Sequence, residues 1–209
     1  MAGVGERNGD KRGRIIDAAV TVFAEKGFHA ARVSDVAKRA GVADGTIYLY
    51  FKNKEDLLLS LFEEKMGRQI ESLEAAWEGV DDPVERMRAY AQHHFRQLAA
   101  HPDLAQVLQV ELRQSHKFFS DYRPEKLWQY LNAFKAQVEE AQRRGLVRAD
   151  VDPFLTMWAI FGALDEISIQ WALARKREKF NLEAAADQVV DLFLHGMMAS
   201  EPKRRRERT

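Results

Sequence analysis

Thr46, Tyr48, Tyr50, Lys52 and Lys54 crowd into the stretch "GTIYLYFKNK". They offer hydroxyls and ammonium groups but no paired nucleophile and base. Hydroxyls reach phosphates or base edges, the Thr46 methyl can touch a thymine methyl, and ammonium groups hold phosphates. The chemistry on offer is grip on a nucleic-acid duplex. A second set, in the later part of the chain, is greasy: Phe95, Leu98, Leu108, Leu112, Phe118, Phe119, Tyr130, Phe134, Trp158 and Phe161. Two readings stand for it, a plain hydrophobic core or a tunnel for a long apolar ligand.

Catalytic and metal signals fail. There is no H-E-x-x-H, P-loop or G-x-G-x-x-G word. His93 and His94 are adjacent and so point to different helix faces, while His29, His101, His116 and His195 are isolated. No Ser/His/Asp set follows from spacing. The absence of cysteine excludes disulfides and thiolate metal sites and fits a reducing compartment. The expectation is a protein that is not an enzyme and has neither cofactor nor metal.

The elements that must hold these groups are helices. Strand-like alternation is absent, and the 5 prolines fall at helix starts or breaks. Ile15, Ala19, Val22 and Phe23 share one face of a first helix, which Gly27 ends. Ser34 can cap a second helix, with Val36 and Ala37 inward. Gly41 can turn the corner at positive φ. A third helix is expected over about 44–51, with Ile47 and Phe51 in the core and the hydroxyl and ammonium groups outside or at its rim. This is a helix–turn–helix, or else a small three-helix subdomain with an aromatic rim. Lys54 starts a long fourth helix striped with Leu58, Phe62, Met66, Ile70 and Leu73, and its N-terminus adds dipole attraction for a phosphate. Further helices fit about 83–100, 103–115, 124–145, 153–175 and 182–199. The fold expected is all-α, about nine helices: an arm at 1–12, a DNA-binding head at 13–53, a ligand-binding and dimerisation body at 54–200, and a basic tail at 201–209.

Charge is uneven although the formal net charge is zero. Residues 1–54 hold 10 Lys/Arg against 6 Asp/Glu, residues 55–200 hold 17 against 24, and the tail holds 5 against 2. A basic head on an acidic body suggests that only the head meets a polyanion, the other reading being ordinary charge scatter. The start "MAGVGERNGDKRGR" lacks the apolar stretch of a signal peptide, and no apolar run approaches the roughly 18 residues of a membrane span. A cytoplasmic protein with no membrane partner is expected.

In the body, "FLTMWAIFGALDEISIQWAL" from Phe154 is apolar on most sides and must be covered all round. Ala159, Gly162 and Ala163 allow another helix to approach closely. With "ADQVVDLFLHGMMA" from Ala186 it can form a four-helix bundle across a two-fold axis, giving a homodimer through the two C-terminal helices, or it is buried within a monomer. Asp165 and Glu166 sit in this apolar run, either holding an arginine such as Arg113 or reaching solvent.

"RIIDAAVTVFAEKGF" and "VSDVAKRAGVADGTIYLYFKNKEDLL", with the spacing between them, closely resemble the DNA-binding head of the TetR family of bacterial repressors over about residues 14–60. The resemblance implies that Thr46, Tyr48, Tyr50, Lys52 and Lys54 face double-stranded DNA at a palindromic operator. It also implies that Arg32 and Ser34 touch the backbone. Ala43-Asp44 departs from the family, where Ser followed by a basic residue or Pro is common, and Asp44 can cap the third helix. "VELRQS" and "IFGALDE" resemble the fatty-acid-responsive FadR branch. That branch implies a repressor of fatty acid degradation genes released by long-chain acyl-coenzyme A. The ligand residues it suggests are Phe95, Leu98, Leu108, Leu112, Phe134, Trp158, Phe161 and Asp165. Arg113, Lys117, Arg96 and Arg123 are candidate partners for the coenzyme phosphates. The competing reading on the same fold is a regulator of efflux or another pathway, responding to a different hydrophobic molecule.

Overall fold

In the computed structural model, residues 3–108, 124–174 and 180–197 are described, and they form helices and connecting turns. The first helix, α1, runs from Gly3 to Lys26, back through residues expected as an arm. It ends at Gly27, whose φ of 75° only glycine adopts freely. Helix α2 (Val33–Ala40) follows. Its start is not capped by Ser34, which is exposed within the first turn. The carboxylate of Asp35 instead accepts the backbone N–H of Arg32 at 3.0 Å. Gly41, at φ 67°, closes α2 and lets Val42 N–H reach the carbonyl of Ala37.

Helix α3 is a single turn, Asp44–Ile47, shorter than the 44–51 expected. Beyond it the chain tightens: Leu49 and Tyr50 donate to the carbonyls of Thr46 and Ile47, three residues back. The tightening lets both Ile47 and Phe51 plug the core of the head. Ala43, not Asp44, occupies the cap position, and Asp44 is an exposed first-turn residue.

Helix α4 (Lys54–Ala76) begins at a cap where Asn53 accepts from Asp56 N–H at 2.8 Å. At about 1.5 Å per residue it is roughly 35 Å long and spans head and body. Its Leu57, Leu58, Leu61, Phe62, Met66 and Leu73 are buried along one side. Helices α5 (Pro83–Ala100) and α8 (Pro153–Leu173) each open with proline behind an aspartate cap, Asp82 and Asp152. Helix α6 (Pro102–Gln106) passes into a wider turn at Val107-Leu108, and the remainder of the expected 103–115 helix lies outside the described residues. Helices α7 (Glu125–Arg143) and α9 (Leu182–Met197) complete the body.

Helix α5 is the axle of the body: α4, α6, α7, α8 and α9 all pack against it. Helix α1 packs on α2, α4 and α6, so the head rests on two body helices. One hydrophobic cluster runs unbroken from Ile15 to Met197. No described helix is long and apolar enough to cross a membrane.

Candidate nucleic-acid interface and effector cavity

The outer face of the head is built by α2, the turn at Gly41, and α3 with its tightened end. Arg32, Ser34 and Lys52 are exposed on it. Tyr48 is 58% exposed, and Leu49, which sequence reasoning passes over, is 80% exposed. Thr46 is half-buried. Tyr50 is half-buried too, its ring leaning on the core 6.3 Å from that of Phe51. The exposed groups thus include two cations, hydroxyls and one apolar side chain, types that can meet phosphates, base edges and thymine methyls.

Lys54, expected on that face, sends its ammonium the other way. Nζ donates to the carbonyls of Phe28, His29 and Ala31 at 2.6, 3.0 and 3.0 Å, and lies 4.7 Å from the centre of the Phe28 ring. These carbonyls belong to the α1–α2 connection, and one ammonium satisfies all three. Lys54 therefore ties that connection to the start of α4. Lys26 does similar service, pairing with Asp35 at 2.8 Å.

Beneath the head, α4, α5, α6, α7 and α8 enclose a cavity of about 460 Å³. Phe62, Met66, Leu98, Leu104, Ala105, Leu108, Leu127, Trp158 and Phe161 form its apolar wall. Lys65, Arg68, Gln69, Gln97, His101 and Asp165 supply polar groups. The volume lies within the roughly 300–1,000 Å³ usual for a site that engulfs a small molecule. Part of the wall is a hydrogen-bonded chain. Ser168 donates its hydroxyl to the Leu164 carbonyl at 2.8 Å, so its oxygen must accept from His94 Nε2–H at 3.1 Å. That leaves His94 Nδ1 to accept from the Tyr130 hydroxyl at 3.1 Å. One tautomer of His94 is thereby selected. Burial first, and then neighbouring His93, push the His94 pKa down to about 4, and burial raises that of the Tyr130 hydroxyl. This stretch of the wall is polar yet uncharged at pH 7, and it knits α5, α7 and α8 together.

Residues 15–61 match the family described as bacterial regulatory proteins, tetR family, and residues 62–196 match the YsiA-like protein, C-terminal region. The chain belongs to the TetR family of bacterial regulatory proteins. Among its relatives, the fatty acid metabolism regulator protein of Bacillus subtilis is 42% identical over 184 residues, 88% of this chain and 94% of the relative. Two solved structures superpose over 88% of this chain and 98% of theirs. One is the transcriptional regulator FadR from Bacillus subtilis in complex with stearoyl-CoA, with a TM-score of 0.82 and 42% identity. The other is the fatty acid degradation regulator FadR from Bacillus halodurans, with a TM-score of 0.78 and 43% identity.

Of the cavity residues expected, this TetR-family fold brings Leu98, Leu108, Trp158, Phe161 and Asp165 together. Phe95 and Phe134 are not on the wall. Phe134 is 2% exposed and packs against the Tyr90 ring at 5.2 Å, on the core side of α7. Leu112 and Arg113 lie outside the described residues, as do Lys117 and Arg123. Sequence reasoning takes the α4 stripe as core. A signal for the cavity is nonetheless visible in the polar residues one step round from Phe62 and Met66: Lys65, Arg68 and Gln69 are costly groups to aim at a packed interior. Among the described residues no group of three or more His, Asp or Glu could hold a metal ion.

Proposed function

We propose that the chain is a dimeric, operator-binding repressor of fatty acid degradation genes, released by long-chain acyl-coenzyme A bound in the body. The observation that carries this reading is the apolar cavity directly below the head, walled by the same α4 and α6 on which α1 rests. A cavity placed there can move the head by changing its own occupancy. The stearoyl-CoA in the Bacillus subtilis FadR complex supports the choice of ligand.

In this reading Arg32, Ser34, Tyr48 and Lys52 touch the operator, with Thr46 and Tyr50 at the rim. Lys54 orders the head behind them. Leu98, Leu108, Trp158 and Phe161 hold the acyl chain with Phe62, Met66 and Leu104. Burying about 12 CH₂ groups at ~0.8 kcal/mol each supplies ~10 kcal/mol gross. Swinging a two-state equilibrium from 1:99 to 99:1 requires ~5.5 kcal/mol of differential affinity. The acyl chain suffices if only one state keeps the cavity open.

Dimerisation accounts for the outer face of α8 and α9. Leu155, Leu173 and Leu192 are exposed there, together with Ala159 and Gly162, and a methyl built at Gly162 meets nothing within 4 Å beyond its own stretch of helix. A second copy on that face covers them and supplies the second head that a palindrome needs. The protein acts by binding, not catalysis, in the cytoplasm where operators and acyl-coenzyme A are found. A gel shift with operator duplex, with and without palmitoyl-coenzyme A, tests the proposal. Loss of the shifted band is expected. A band that ignores palmitoyl-coenzyme A but yields to another hydrophobic compound transfers the protein to the competing class of efflux or metabolite regulators.

A further inference from the structure

Lys65 is shared by two cavities. It lines the main one and also a smaller one of about 320 Å³, walled by Asp17 and Val20 of α1, the end of α5 and the start of α6. Its side chain is 12% exposed, and Nζ lies 2.6 Å from Oδ1 of Asp17, whose side chain is 64% exposed. Asp17 belongs to the head. One residue earlier on α4, Glu64 holds two arginines: Arg12 of α1 at 2.5 Å and Arg68 at 2.8 Å. Arg68 also lines the main cavity. The ion pairs Asp17–Lys65 and Arg12–Glu64, which join α1 to α4, thus both lead to a cavity cation. Lys65 is reached directly, and Arg68 through the shared Glu64.

Lys65 and Arg68 are three apart on α4 and so neighbours on one face. An anion arriving at that face competes with Asp17 for the one ammonium. A phosphate competes well, since it carries more charge than a carboxylate and offers more acceptor oxygens. Asp17 and Asp103 in the smaller cavity repel that anion and keep it on the main-cavity side.

Resting on the acyl-coenzyme A reading above, we infer that Lys65 and Arg68 form the subsite for the coenzyme's phosphates, and that filling it takes Lys65 from Asp17 and unclasps α1 from α4. The acyl chain provides affinity and the phosphates carry the message to the head. By linkage, states with the Asp17–Lys65 pair intact bind acyl-coenzyme A less well, so breaking the pair and binding the effector favour each other.

The test compares lauroyl-coenzyme A with lauroyl-N-acetylcysteamine, which keeps the chain and thioester but has no phosphate. Binding is read by tryptophan fluorescence, since Trp158 lines the cavity, and operator release by anisotropy. The parent should bind the coenzyme ester at least about tenfold more tightly, roughly 1.4 kcal/mol. Lys65→Met, which keeps the apolar stem, should erase most of that preference. Asp17 is exposed and lies outside the main cavity, so Asp17→Asn leaves that cavity's wall intact. It should lower the lauroyl-coenzyme A concentration for half-release about fivefold, the converted worth of roughly 1 kcal/mol. A Lys65→Met protein with the full preference, or an Asp17→Asn protein released at the parental concentration, overturns the inference. If the parent binds both esters equally, the chain-binding cavity stands and the phosphate subsite falls. If it binds neither, the acyl-coenzyme A reading fails and this inference goes with it.

Discussion

Lys54→Met separates two roles that one lysine could play at the edge of a DNA-binding head. The ammonium makes three hydrogen bonds to carbonyls of the α1–α2 connection and lies over the Phe28 ring. A hydrogen bond to a charged group is worth about 1.5–3 kcal/mol when its partner is otherwise left unsatisfied. The three cannot be summed, because the half-buried ammonium was solvated before folding and water can reach part of the site after its removal. One such bond with ~0.5–1 kcal/mol from the ring gives an expected cost of about 2–4 kcal/mol. In a chain of this size each kcal/mol moves the melting temperature by about 2–4 °C, so a fall of roughly 4–16 °C is expected. Differential scanning calorimetry measures it, with Lys52→Met as the control. Lys52 is exposed, and its replacement should leave stability within about 0.5 kcal/mol. It should also flatten the plot of log operator affinity against log salt by about 0.9 for each phosphate that the ammonium neutralises. If Lys54→Met melts with the parent but changes the salt slope as Lys52→Met does, Lys54 grips a phosphate and the inward geometry is refuted.

Tyr48→Ala should weaken operator binding without lowering the melting temperature, because the ring is exposed; an unchanged gel shift removes it from the interface. Phe134→Ala should cost about 3–5 kcal/mol in urea unfolding, the range for emptying a buried aromatic site, and act on effector binding only through stability; a stable variant with selectively abolished acyl-coenzyme A binding would return Phe134 to the cavity. Acid should destabilise the fold through His94 and His93, whose pKa values are pushed down to about 4. Unfolded histidine titrates near 6.5, so below that pH the unfolded chain takes up protons that the folded one refuses. The stability is present in full above about 6.5 and lost as pH falls towards 4, by roughly 3 kcal/mol at most for fully buried His94. His94→Gln should flatten the stability–pH slope in that window, and an unaltered slope would show that His94 is already protonated or solvent-accessible.

The head is legible in the sequence because its signals are local. Apolar residues at helical spacing place Ile15, Ala19, Val22 and Phe23 inside, and Gly27 and Gly41 mark turns that only glycine makes without strain. Lys54 is misplaced by the same reasoning because its partners are carbonyls: their convergence depends on how the α1–α2 connection folds back, and backbone oxygens leave no trace in residue identity. Asp35 takes the role expected of Ser34 because its longer side chain reaches back to Arg32 N–H. In the body, Leu98 and Phe134 are equally apolar and equally suited to a helix interior. Which of them faces a void and which a neighbour depends on how five helices pack, and spacing within one helix carries no such information. Lys65 and Arg68 are the clue to that void.

The central claim is that cavity and head share one equilibrium, which makes their coupling reciprocal. The direct measurement is the palmitoyl-coenzyme A dissociation constant of the free protein and of the protein saturated with operator duplex. The operator should weaken palmitoyl-coenzyme A binding by the same factor by which palmitoyl-coenzyme A weakens operator binding. Equal dissociation constants in the two titrations would mean that the ligand binds without addressing the head, and would contradict the account.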